Sequence, residues 1–319
     1  MKDRELFDRH PANPILTAED WPYPINAAFN PAAAQLNGTT ILLARVEDLT
    51  GLSHLSVARS GNGIDGWTID PEPLLAPADG IESEQWGFED ARVVFLPELE
   101  RWAITCTVYG PSGPAVYLAT TEDFHSVERH GIVRQAEDKN AALLPHRVNG
   151  KWILFHRPTE EFGGPRPHGA IVLSRSLDLV DWSGPELVLS PRKGAWWDAS
   201  RIGIGPPLLR TDHGWLLIYH GVKDTVSGSV YRLGLALMDL EEPTRVLNRL
   251  PNWIFGPLTT YEREGDVPNV VFPCGFVHDE ASDEIRLYYG AADTSICIAS
   301  ARLEDLLEAV LSGPAETAG

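Results

Sequence analysis

Six consecutive residues, Gly87-Phe88-Glu89-Asp90-Ala91-Arg92, set two carboxylates and a guanidinium immediately before an apolar run, Val93-Val94-Phe95-Leu96. Adjacent side chains of a strand point to opposite faces. Alternation therefore lets only one of Glu89 and Asp90 share a face with a given cavity, and it sets Arg92 on the side of Asp90. A carboxyl with a cation two residues along suits a proton donor in a sugar-cleaving site. The same residues also suit a strand-entry turn carrying a solvated ion pair, which would contribute little. The two readings part on whether other segments bring polar groups to the same place.

The elements that would have to do so form a repeat. A hairpin with a Gly-bearing turn and an aromatic opening its second strand runs from Leu143 through Asn149-Gly150-Lys151 to Trp152 and Arg157. The design returns at Pro206 to Gly221, with Trp215 opening the second strand, and at Arg92 to Tyr109, with Trp102. It fits Ala32 to Arg45 around Asn37-Gly38, and a last copy runs from Pro273 to Gly290. An alternating strand rich in Ala, Ser and Thr follows each copy, as in Leu55 to Ala58 and Ile296 to Ser300. Five copies of one order, spaced by roughly 50–70 residues, mark a repeat architecture. Repeats of that length built of strands predict an all-β fold, a five-bladed β-propeller of four-stranded blades spanning residues 1–319 as one domain. A β-sandwich explains alternating strands but not five copies in one order. Apolar residues at helical spacing over Arg302–Leu311 predict a short C-terminal helix, with Ser312 to Gly319 as a frayed tail. Gly163 to Pro167 and Gly61 to Gly63 read as loops within blades.

A propeller gathers the first strand of each blade around its axis, so polar residues at equivalent positions of those strands should converge. Near the starts of the first strands stand Asn26 and Asn30, Glu89-Asp90 with Arg92, Lys139-Asn140, Asp198 with Arg201, and Asn269. At the ends of the second strands stand Arg45, Tyr109, His156-Arg157, Tyr219-His220 and Tyr289, with Asp293 just beyond. Each alone is an ordinary turn former or surface residue. Together, Arg45, Lys139, Arg157 and His220 would make a cationic cluster that matches an oxyanion such as phosphate. Trp21, Tyr23, Trp86, Trp196 and Trp197 offer either stacking faces for sugar rings or packing between blades.

The cluster is conspicuous because the 319-residue chain is acidic, with a formal net charge of −19. That balance argues against nucleic acid or an anionic membrane as a partner. Cys106, Cys274 and Cys297 are too few and too odd in number for a disulfide framework, and two of them sit in apolar alternating runs. The charged start, Met1 to Leu6, lacks the apolar stretch of a secretion signal, and no run approaches the roughly 18 apolar residues of a membrane span. These features predict a cytoplasmic protein. No residues show metal-ligand spacing, so no metal site is expected.

Several segments, taken in order, resemble glycoside hydrolase family 130: Asn13-Pro14-Ile15-Leu16, Phe29-Asn30-Pro31, Gly87 to Arg92, Trp152 to Pro158, Tyr219-His220-Gly221, Phe272 to Gly275 and Tyr289 to Thr294. One departure is Ala91, where that family usually has Pro. The resemblance implies a five-bladed propeller acting on β-mannosides, either as a phosphorylase or as a β-mannosidase. It implies Asp90 as general acid, protonating the glycosidic oxygen while inorganic phosphate attacks the anomeric carbon from the other face. It further implies Arg45, Lys139, Arg157 and His220 as phosphate ligands, and Asn30, Arg92, Arg201 and Asp293 as the residues gripping the mannosyl unit. Phosphate would be a co-substrate, with no cofactor; a carbohydrate would be the partner molecule, and homo-oligomerisation stays open. An inverting mannosidase would have lost the cations, and a non-catalytic carbohydrate-binding propeller would lack the acid or the anion site. Five-bladed arabinanases and fructosidases need three separated carboxylates, and no convincing trio can be assembled from the sequence. Linkage and acceptor depend on loops the sequence does not resolve.

Overall fold

A computed structural model describes residues 5–135, 137–159 and 169–315. The expected loop Gly163 to Pro167, the first four residues and the last four of the expected tail therefore lie outside the described residues. The strands fall into five antiparallel sheets, four of them formed in chain order from the axis outward. Blade 1 comprises Ala27–Leu36, Thr39–Glu47, Ser53–Ser60 and Thr68–Ile69. Blade 2 comprises Phe88–Leu96, Arg101–Gly110, Gly113–Thr121 and Glu128–Arg134, and blade 3 comprises Asp138–Leu143, Trp152–Pro158, Ile171–Ser176 and Glu186–Leu189. In blade 4 the first strand is broken into Arg201–Ile204 and Leu209–Thr211, both paired with Gly214–Thr225. The break contains Pro206 and Pro207, which have no N–H for a ladder. Gly228–Met238 and Val246–Arg249 complete that blade.

Blade 5 is assembled from both ends of the chain. Val271–Asp279, Glu284–Ala291 and Ser295–Arg302 supply its inner strands, and Asp8–Arg9 adds the outermost one, with Asp8 opposite Ser300. Arg9 fixes the joint: its guanidinium donates to Glu262 at 2.7 Å and to Glu5 at 2.6 Å, and lies 4.2 Å from the centre of the Phe255 ring.

The core lies between blades, which is why the second strands read as nearly continuous apolar runs. Both faces of a blade are covered, so alternation separates two neighbours rather than core from water. In Thr39–Glu47, Ile41 and Leu43 pack with Val93 and Ile104 of blade 2, while Leu42 and Ala44 pack with Tyr288 and Ile298 of blade 5. Near the axis the strands come too close for bulk: a Cβ on Gly275 would lie 2.0 Å from the Ala33 nitrogen. The C-terminal helix spans Leu303–Ser312 and buries Leu306 and Val310, one turn apart, against the apolar contact between blades 4 and 5. A second helix, Thr260–Arg263, is a single turn; Glu262 accepts from the Leu258 and Thr259 amides at its start. Among the described residues no helix is long and apolar enough to cross a membrane.

Candidate active site

At one mouth of the axis a cavity of about 150 Å³ is lined by Asn30, Arg45, Glu89, Asp90, Lys139, Asn140, Arg157, Arg201, His220, Tyr231, Val267, Val270, Phe272 and Asp293. Eight of the nine residues expected to touch substrate are thus brought together from all five blades. The exception is Arg92.

The innermost strands aim these groups by departing from regular pleating. Register slips between Phe29 and Ala32, between Glu89 and Arg92, and between Lys139 and Ala142. At each slip one residue takes a positive φ: Asn30 at 46°, Asp90 at 47° and Asn140 at 52°. Asn and Asp enter that region more readily than other residues with a Cβ, and a bulge re-aims the side chain it carries. Blade 4 solves the same problem with Gly203, where a Cβ would sit 2.5 Å from the His220 ring and 2.9 Å from the Asn140 amide.

The bulge overturns the alternation argument. Glu89 and Asp90 both line the cavity, because Asp90 sits in the left-handed region rather than in pleated geometry. Arg45 bridges the pair, with Nη2 2.9 Å from Glu89 and Nη1 3.5 Å from Asp90 Oδ1. Its Nε donates to Ser53 Oγ at 2.9 Å, and the guanidinium stands 4.7 Å from the Phe29 ring centre. Asn30 donates to Asp90 Oδ1 at 2.9 Å.

Arg92 is not aimed at the cavity. It is 1 % exposed, and its guanidinium donates to the carbonyls of Asp90, Ile204 and Gly205 at 2.7, 3.0 and 3.0 Å. Those last two carbonyls lie immediately before the prolines that break the first strand of blade 4. Arg92 thus ties blades 2 and 4 together and is absent from the cavity lining, where a residue expected to grip a sugar would stand. Asp198 is likewise withdrawn: it is buried in blade 4, where Oδ2 accepts from Arg192, Arg249 and the Tyr219 hydroxyl.

The electrostatics sort the titratable groups. Burial opposes the charge of Asp90, but Arg45, Arg92, the Asn30 amide and Lys139 outweigh it and hold this carboxyl, 8 % exposed, below the usual aspartate range. Glu89 is pushed up, by burial first and by the charge of Asp90, against the pull of Arg45. Burial and then Asp90 raise Asp293 to about 7. Burial lowers Arg157 to about 10, which leaves it cationic at neutral pH. His220 is driven well below its usual value by burial and by the fields of Arg157, Arg92 and Arg201. The expected fourth cation is therefore a neutral imidazole, able to offer an N–H but not a charge.

Arg157 is oriented by Asn140, whose amide oxygen, turned toward it, accepts from Nε and Nη2 at 3.2 Å each. Arg201 reaches Asp224 at 3.2 Å and the Tyr231 hydroxyl at 3.0 Å. The aromatic faces of the cavity are Tyr231 and Phe272, not the residues singled out in the sequence. Trp21 and Trp197 are buried between blades, Tyr23 hydrogen-bonds Ser56, and Trp86 and Trp196 are about half exposed outside the cavity wall.

Fold and site together define a class: a five-bladed β-propeller whose axial cavity sets carboxyls against several cations. A family model for glycoside hydrolase family 130, described as beta-1,4-mannooligosaccharide phosphorylase, matches residues 8–311. The chain belongs to glycoside hydrolase family 130. It is 32% identical over 316 residues to the beta-1,4-mannooligosaccharide phosphorylase of Ruminococcus albus, covering 97% of this chain and 92% of that one. To a beta-1,2-mannobiose phosphorylase of a Thermoanaerobacter species it is 38% identical over 252 residues, or 78% of this chain and 76% of the relative. The Listeria innocua beta-1,2-mannobiose phosphorylase, solved with beta-1,2-mannobiose, superposes with a TM-score of 0.86 at 28% identity, over 96% of this chain and 99% of that one.

Proposed function

We propose that the protein is a phosphorylase that cleaves a β-mannoside with inorganic phosphate, inverting the anomeric centre to give α-mannose 1-phosphate and a shortened sugar. The observation that carries this reading is one cavity holding a buried carboxyl, Asp90, together with Arg45, Lys139 and Arg157. Three relatives, named for β-1,4-mannooligosaccharides, 1,2-β-oligomannan and β-1,2-mannobiose, are all phosphorylases. Phosphate supplies the nucleophile that an inverting hydrolase would have to make from water with a second carboxylate.

In this scheme Asp90 protonates the glycosidic oxygen, through a sugar hydroxyl as the family resemblance implies. The bond from the anomeric carbon to that oxygen breaks as phosphate oxygen attacks from the opposite face. The proton that phosphate loses on becoming an ester balances the one Asp90 gives up. Arg45, Lys139 and Arg157 hold the dianion, with His220 as a neutral donor; Asn30, Arg201 and Asp293 contact the mannosyl unit.

Asp90 must carry a proton to act, yet Arg45 and Lys139 favour its charged form. A phosphate dianion among those cations takes up their field and adds negative charge, and both effects raise the affinity of Asp90 for a proton. Phosphate binding thereby arms the acid. The test is to incubate the protein with β-1,2- and β-1,4-mannobiose, with and without phosphate, and to follow mannose 1-phosphate by phosphorus NMR. Mannose release at the same rate without phosphate would overturn the proposal.

A further inference from the structure

Blade 3 contains a line of three polar side chains that the chemistry above does not use. Asp138 of the first strand, His156 of the second and Ser174 of the third run across the sheet, with Asp138 Oδ2 2.6 Å from His156 Nδ1 and His156 Nε2 3.0 Å from Ser174 Oγ. The residue types are those of a nucleophilic triad. Burial rules that role out, since Ser174 and His156 are 0 % exposed and Asp138 1 %, which leaves no room for a substrate. Buried polar groups of this kind fix the geometry of what they are joined to.

What they join is the wall of the cavity. Asp138 and His156 directly precede Lys139 and Arg157, and Lys139 and Arg157 face each other across the two strands. Immediately beyond that pair the ladder slips, between Lys139 and Ala142, and Asn140 takes its positive φ. A bulge gives up ladder hydrogen bonds, so its backbone needs other partners. Asp138 supplies one: Oδ1 accepts from the Lys139 amide at 2.9 Å, while Oδ2 holds the ring of the neighbouring strand. A carboxylate accepts, so Nδ1 of His156 carries the proton toward it. Nε2 then meets the Ser174 hydroxyl, which anchors the ring at its far side. Because successive side chains of a strand point opposite ways, fixing His156 inside the blade also fixes the direction in which Arg157 leaves it. Asn140, in turn, orients the Arg157 guanidinium.

We infer that Asp138, His156 and Ser174 are positioning residues for the anion site, locking the bulged strand of blade 3 so that Lys139, Asn140 and Arg157 meet phosphate in register. This rests on the assignment of phosphate to those cations. It predicts a separation of effects, because the mannosyl contacts come from blades 1, 4 and 5 and do not depend on the line. A displacement of about 1 Å in a binding group suffices for large losses. Asp138→Asn, which keeps the shape and removes the charge, should raise KM for phosphate by about tenfold or more and leave KM for the mannoside nearly unchanged. Ser174→Ala removes only the far anchor and should give a smaller rise of the same kind, about twofold or more, the scale of one hydrogen bond. Steady-state rates at varied phosphate and varied mannobiose read both constants, and thermal unfolding reports whether each variant is folded. Lys139→Ala is the control for the phosphate assignment itself: an unchanged phosphate KM there sinks that assignment. If Lys139→Ala weakens phosphate use but the Ser174 and Asp138 variants leave it unchanged, or raise both KM values equally, the positioning role is refuted. Should Asp138→Asn fail to fold, Ser174→Ala alone decides.

Discussion

Replacing Asp90 by Asn separates proton donation from everything else this residue does. The amide oxygen can still accept from Asn30 Nδ2, which lies 2.9 Å from Asp90 Oδ1. Arg45 loses a partner at 3.5 Å but keeps Glu89 at 2.9 Å, so no buried guanidinium is left without an acceptor. The variant should therefore fold, with only a small change in melting temperature. What it lacks is the proton. General acid catalysis contributes about 10²–10⁴-fold, equivalent to about 2.7–5.5 kcal/mol of barrier. That whole loss is expected for mannobiose, whose leaving group is an alkoxide unless protonated. An aryl β-mannoside with a strongly electron-withdrawing ring leaves without a proton and should be cleaved by phosphate at a rate close to that of the unaltered protein. Initial rates of mannose 1-phosphate formation from the two substrates, in both proteins, provide the comparison. Equal losses on the two substrates, or a mannobiose rate within about tenfold of the unaltered protein, would refute Asp90 as the acid.

Two other substitutions probe the surroundings. Asp293 is raised from 3.8 to about 7, so between those values the unfolded chain releases its proton while the folded one retains it, and stability falls as pH rises through that window. Asp293→Asn removes this penalty: its unfolding free energy in urea should match that of the unaltered protein near pH 4, exceed it increasingly up to pH 7 by at most about 4 kcal/mol, and stay level beyond. A constant difference across that range would remove the perturbed carboxyl. Arg92→Met leaves the carbonyls of Asp90, Ile204 and Gly205 without their buried donor. It should cost about 3 kcal/mol or more in urea unfolding, with little change in mannoside KM for the molecules that stay folded. The reverse pattern, normal stability with a raised KM, would return Arg92 to the sugar.

Much of this site could be read from the chain because a propeller repeats its register. Asn30, Asp90 and Asn140 occupy matching places at the starts of first strands, and Arg45 and Arg157 matching places on second strands, so one blade's geometry carries over to the next. What could not be read follows from local departures from that register. The bulge at Asp90 brings Glu89 into the cavity, which strict alternation forbids. Arg92 has the composition of a substrate ligand, and its role turns on a proline-broken strand more than a hundred residues away. His220 loses its charge to neighbouring guanidinium groups that only the fold assembles. Tyr231, Val267 and Val270 reach the cavity from a third strand and from the turn after a one-turn helix, where no repeat marks them. The two-residue strand Asp8–Arg9 is too short to show a period at all.

That short strand bears on when the enzyme can exist. Blades 1 and 5 meet beside the acid: a Cβ on Gly290 would lie 2.0 Å from Asn30 Oδ1, and Asn30 holds Asp90. The last carboxyl of the cavity, Asp293, belongs to a blade that takes its outer edge from residues 8 and 9. A ribosome-bound chain that has emerged through blade 4 already holds the acid and all three of the proposed phosphate-binding cations. It still lacks one wall of the chamber that would bring them to bear on a sugar. Activity is in this sense a property of the closed circle, not of any stretch of sequence.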